Sequence, residues 1–92
     1  MASMGAAVAI SACRQAFLRA FRWVDGHADI AGVFRDREAL SSLGPGLAAL
    51  FADEPVTVVA APEARAFVLG ALVAEEPGVG LLLVRNVLGG FL

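Results

Sequence analysis

The chain is short of cysteine, of histidine and of charge, and each shortage removes a class of function. A single cysteine, Cys13, excludes an internal disulfide framework and leaves the redox compartment open. With His27 as its one histidine and no second cysteine, the chain has no His/Cys metal-ligand set. Acidic residues outnumber basic ones, 9 to 7, and the net charge of -2 excludes a general nucleic-acid footprint. No hydrophobic run reaches the roughly 20 residues that a spanning helix needs. The longest uncharged stretch, Ala39–Ala52, contains Gly44-Pro45-Gly46 and two serines. Ile10-Ser11-Ala12-Cys13 has the form of a bacterial lipoprotein cleavage box, but Met1–Ile10 holds no Lys or Arg and the apolar run Gly5–Ile10 is short. Cys13 is expected to be a small buried hydrophobe in a helix. The expected compartment is the cytoplasm, with neither membrane nor nucleic acid as a partner.

What remains is strongly apolar. The 92 residues bound one domain at most, 59% of them are hydrophobic, and the mean hydropathy is +0.76. With membrane spans excluded, this excess predicts elements buried on several sides. Residues 1–23 are expected to form an N-terminal helix after a frayed start at Met1–Gly5. Ile10, Cys13, Phe17 and Phe21 share one arc of that helix, and Arg14, Arg19 and Arg22 share another. A basic face of this kind suits a membrane surface or a partner, or simply solvent. Asp25-Gly26 signals a turn closing the helix.

Residues 24–55 read as a lead-in and a second helix. Asp36 is placed to cap a helix over roughly Arg37–Ala52, which Gly44-Pro45-Gly46 should kink or restart at Pro45. Residues 56–85 read as a βαβ unit. Val56–Ala61 and Leu81–Val84 are uninterrupted apolar runs, expected as parallel strands buried on both faces, with a helix over Ala64–Glu76 between them. The fold class is therefore α/β.

A site follows from that topology. Parallel strands put their C-terminal ends on one edge of the sheet, where ligands bind open α/β folds. Pro62-Glu63-Ala64-Arg65 leaves the first strand there, and Arg85-Asn86 leaves the second. Arg65 and Arg85 would meet beside a helix N-terminus whose N–H groups and dipole favour an anion such as phosphate or pyrophosphate. Two ordinary solvated arginines account for the spacing equally well. His27 could serve as a base, although a solvated turn residue fits its context better, and Ser41 and Ser42 lack the surroundings of a nucleophile. Trp23 and Phe21 could stack a base but fit core packing better.

The stretch Val59-Ala60-Ala61-Pro62-Glu63-Ala64-Arg65-Ala66-Phe67-Val68-Leu69-Gly70 resembles the segment A-G-x-[DE]-[SA]-R-G-F-x-x-G of the type I phosphoribosyltransferases, most closely the adenine-type enzymes. It continues through Ala74-Glu75-Glu76-Pro77-Gly78-Val79-Gly80, similar to A-x-E-L-G-x-G, to Leu83-Val84-Arg85-Asn86, where the family has an apolar pair and R-K. Upstream, Ala28-Asp29-Ile30 through Arg35-Asp36-Arg37-Glu38-Ala39-Leu40 is similar to R-D-I-x-x-[VL]-[LF]-x-D-P-E-A-L. The resemblance implies a partial type I phosphoribosyltransferase-like parallel sheet with flanking helices. It implies pyrophosphate binding by Glu63, Ala64 and Arg65, with Arg85 in support. The family transfers phosphoribosyl from phosphoribosyl pyrophosphate to a purine base, a purine-salvage reaction, with Mg²⁺ carried on the pyrophosphate rather than on protein ligands.

Ala61 and Ala66 replace family glycines, Asn86 replaces a lysine, and His27-Ala28 stand where adenine enzymes have Phe-Arg near the base. The family's paired acids and T-G-G-T-like ribose-phosphate loop have no counterpart here, and 86–92 resembles the start of its flexible loop. The expectation is thus a truncated domain, inactive alone. The alternative is a non-catalytic regulatory or partner-binding remnant. The catalytic and base-binding residues and the oligomeric state, a homodimer included, stay open.

Overall fold

The computed structural model describes residues 4–85. The expectations for 1–3, for Asn86 and for a flexible loop over 86–92 lie outside the described residues.

Helix α1 runs Met4–Ala20, so Met4 and Gly5 are helical rather than frayed. It stops short of Trp23, because Trp23–Val24 (β1) pairs antiparallel with His27–Ala28 (β2). Asp25 and Gly26 both have positive φ, 50° and 78°, as a type I′ two-residue turn requires. Asp25-Gly26 therefore turns a hairpin instead of ending the helix, and it is the Asp-Gly pair that makes such short strands tenable.

Two Asp-capped helices follow. Asp29 accepts a hydrogen bond from the Gly32 N–H (3.0 Å) and starts α2, Ile30–Arg35. Asp36 accepts from the Ala39 N–H (2.8 Å) and starts α3, Arg37–Ala49, as its place before Arg37 predicted. The restart expected as one outcome at Pro45 does not occur: α3 runs on through Pro45, which lies inside it and is exposed. The flanking glycines explain why. A Cβ on Gly44 would stand 2.7 Å from the carbonyl oxygen of Leu72, and one on Gly46 would collide with Cys13. Helix α3 thus lies close against its neighbours on two sides. The hydrogen bond lost at a mid-helix proline costs about 3 kcal/mol, which roughly 120 Å² of buried apolar surface offsets.

The βαβ unit is β3 (Val58–Pro62), α4 (Arg65–Glu75) and β4 (Gly80–Val84). The strands are parallel, with Val58 opposite Gly80 and Pro62 opposite Val84. Burial on both faces does not hold. Along β3 only Ala61 is buried, while Val58 is 51% exposed and Ala60 and Pro62 are also open. Among the described residues this sheet has two strands and α4 packs against it, so Val59 and Ala61 are covered while the alternate residues are not.

Packing runs in sequence from α1 to α3, from α3 to α4, and from α4 to the sheet. The core gathers Ala16, Val33 and Ala39, with Phe17, Ala20 and Phe21 packed against it. Cys13 is buried in the seam where α1 meets Gly46. Arg14 on the other side of α1 is exposed, Arg19 forms an ion pair with Glu38 at 2.5 Å, and Arg22, expected on the same helical arc, lies exposed beyond the end of α1.

Candidate functional site: a sheet edge beside a helix start

The register of the two strands sets the site. Because Pro62 lies opposite Val84, the next residues, Glu63 and Arg85, leave the sheet at the same edge. The Glu63 N–H donates to the Val84 carbonyl at 3.0 Å, fastening the β3–α4 loop to the end of β4. The Glu63 carboxylate lies 3.7 Å from Arg85 Nε, with the two side chains 22% and 42% exposed. That separation is an ionic contact rather than a hydrogen bond. The Glu63–Ala64 peptide bond is cis.

Helix α4 begins at Arg65 on the same loop. Its N-cap is Ala64, which offers no side-chain acceptor, and its first turn contains no acid. The Phe67 N–H reaches the Ala64 carbonyl at 3.2 Å. The N–H groups of Arg65 and Ala66 lie among the first of the helix, which have no intrahelical acceptor. Arg65 is exposed and forms no ion pair with any described residue. A free guanidinium and an uncapped, positive helix end thus share one short loop.

The four residues singled out in the sequence therefore lie together, although not in equal roles. Arg65 has no ion-pair partner among the described residues, and Arg85 is in ionic contact with Glu63. That pairing could not be read from composition or periodicity, since it depends on which residues of β3 and β4 stand opposite each other. The other candidates lie elsewhere. His27 is exposed on the hairpin. Ser41 and Ser42 donate to the carbonyls of Glu38 (3.1 Å) and Ala39 (2.7 Å) within α3. Trp23 is 71% exposed, which corrects its expected place in the core, and meets Phe21 edge-on at 5.4 Å. Phe21 stacks on Phe17 at 5.5 Å and does join the core.

A cavity of about 770 Å³ is an apolar trough lined by residues that include Ala48, Phe51, Val56, Val58, Ala60 and Val73. None of Glu63, Ala64, Arg65 and Arg85 lines it. Its lining brings no cation to an anion, so the charged sheet edge remains the better candidate. Among the described residues, no group of three or more His, Cys, Asp or Glu side chains could hold a metal ion, and no helix is long and apolar enough to cross a membrane.

No protein-family model matches the chain. Curated relatives do. Over 84 residues it is 40% identical to the adenine phosphoribosyltransferase of Rhodococcus opacus, covering 83% of this chain and 46% of that protein. Over 58 residues it is 42% identical to the enzyme of the same name from Desulforamulus reducens, covering 63% of this chain and 34% of that protein. The chain thus spans less than half the length of these curated relatives. Among solved structures, the adenine phosphoribosyltransferase of Thermoanaerobacter pseudethanolicus superposes with a TM-score of 0.68 at 26% identity, over 84% of this chain and 57% of that one. The Trypanosoma brucei enzyme, solved with AMP, pyrophosphate and ribose-5-phosphate, shares the fold at a TM-score of 0.69 and 20% identity, over 84% of this chain and 38% of that one. The chain therefore carries the N-terminal part of the type I phosphoribosyltransferase fold and is most similar in sequence to the adenine phosphoribosyltransferases.

Proposed function

We propose that the loop Glu63-Ala64-Arg65, with Arg85, binds the pyrophosphate group of phosphoribosyl pyrophosphate, as part of an enzyme that transfers phosphoribosyl to a purine base. The observation that carries this is Arg65, a cation without an acidic partner among the described residues, at the uncapped start of α4. Two structures that share the fold support it. One holds AMP, pyrophosphate and ribose-5-phosphate, and the enzyme of Giardia lamblia holds 9-deazaadenine.

In such a transfer a purine nitrogen attacks the sugar and pyrophosphate leaves, so negative charge grows on the leaving group. The guanidinium of Arg65 and the first N–H groups of α4 would supply donors to that charge. Their contribution is positioning and charge stabilisation rather than covalent chemistry. Mg²⁺ fits this arrangement only as a passenger. The described residues offer it no cluster of acids, and the nearby Glu63 carboxylate already faces Arg85. The ion commonly keeps waters and binds through substrate phosphates. When bound it would neutralise pyrophosphate charge.

The sequence contains neither a T-G-G-T-like loop nor paired acids after a later strand. The reading therefore assigns these residues pyrophosphate binding, and no turnover by this chain alone. Calorimetric titration with pyrophosphate tests it. A charge-assisted contact of roughly 1.5–3 kcal/mol makes Arg65→Ala weaken binding about tenfold or more. Added salt should weaken wild-type binding as well. Equal affinity of Arg65→Ala and wild type would place the site elsewhere.

A further inference from the structure

Glu63 is out of place in a site for an anion. Its carboxylate carries the ligand's own sign, and it is more covered than the arginine it faces, at 22% against 42% exposure. Both its main chain and its side chain are directed to the end of β4: the N–H bonds the Val84 carbonyl at 3.0 Å, and Oε2 stands 3.7 Å from Arg85 Nε. We infer that Glu63 is a positioning residue, favouring the anion through Arg85, whose guanidinium it holds at the C-terminal edge of the sheet.

The geometry of the contact makes this workable. A guanidinium has five N–H donors in a fixed fork, and the contact runs through Nε, the donor nearest the stem. The donors on the two terminal nitrogens remain for a ligand. Arg85 follows β4 directly and, unlike Arg65, opens no helix among the described residues. The carboxylate limits the positions its long side chain samples, and repels the anion in doing so. Wild-type affinity reflects both effects, which have opposite signs and so can be separated. The inference rests on the pyrophosphate reading above.

The experiment titrates inorganic pyrophosphate into the 92-residue chain and into Glu63→Gln, Glu63→Asp, Arg85→Ala and the double variant Glu63→Gln/Arg85→Ala. Glu63→Gln should weaken binding about two- to fivefold although it removes a negative charge, the scale of a partly exposed ion pair. Glu63→Asp, which keeps the charge but shortens the reach, should bind no better than Glu63→Gln. With Arg85→Ala as the background, Glu63→Gln should instead tighten binding, because the contact with Arg85 is already gone while the carboxylate's repulsion of the anion is still there to be removed. This reversal of sign is not expected of a residue that merely supports the fold. Tightening by Glu63→Gln in both backgrounds, or an equal effect in both, overturns the positioning role. Arg65→Ala, run alongside, separates the two levels. If it abolishes binding while Glu63→Gln acts alike in both backgrounds, the positioning role alone falls. If wild type does not bind pyrophosphate, or Arg65→Ala binds as well as wild type, the anion site falls and the positioning role with it.

Discussion

Arg65 occupies a position that helix electrostatics disfavour. It is the first residue of α4, at the positive end of the dipole, with no acid in the turn to compensate. Such a cation destabilises the free protein by roughly 0.3–0.5 kcal/mol at an exposed site. Arg65→Ala should therefore raise the melting temperature by about 1–4 °C in the absence of ligand. Saturating pyrophosphate should reverse the order by stabilising the wild type more. Thermal melts with and without pyrophosphate check both halves, and a lower melting temperature for ligand-free Arg65→Ala would show that Arg65 serves the fold. At this scale the sequence places Glu63 and Arg85 just past the ends of two parallel strands, and the register agrees. It was silent on the Glu63–Arg85 contact, which only the strand register creates, and misleading on Trp23, whose size suggested burial that the short hairpin does not provide.

Elements were legible in proportion to their length and to the strength of their end signals. Asp36 located the start of α3, and two apolar runs located the parallel strands, because capping and continuous hydrophobicity act locally. The hairpin escaped, since strands of two residues show no periodicity and Asp-Gly signals a helix end as readily as a hairpin turn. Pro45 misled for another reason. Local propensity breaks a helix there, but close packing of α3 against α1 and α4 overrides it. Pro45→Ala restores an N–H that can reach the Ser41 carbonyl and loses little packing, because the ring is exposed. Set against the unfolded-state entropy that proline removes, the substitution should stabilise the chain by about 2 kcal/mol. Chemical denaturation measures this. A loss of stability would mean that the packing of α3 depends on the proline.

For the whole molecule, the apolar excess does not reside where composition placed it. A sheet of two strands with helix α4 on one face cannot bury both faces, and Leu50, Phe51 and Val58 are 59%, 56% and 51% exposed. The sequence resemblance covered most of the chain, and the similarity to adenine phosphoribosyltransferases matches it in extent. What could not be read was the division of the surface into an apolar trough around Val58 and a charged edge around Arg65, which arises from packing rather than from any motif. The central claim is that anions bind at that edge. Backbone amide and arginine Nε chemical shifts of the isotope-labelled chain, followed during titration with pyrophosphate, test it most directly. Saturable shifts should concentrate at Ala64–Phe67 and at the Nε groups of Arg65 and Arg85. Saturable shifts centred on the hairpin or the trough, with the Ala64–Phe67 amides unmoved, would contradict it.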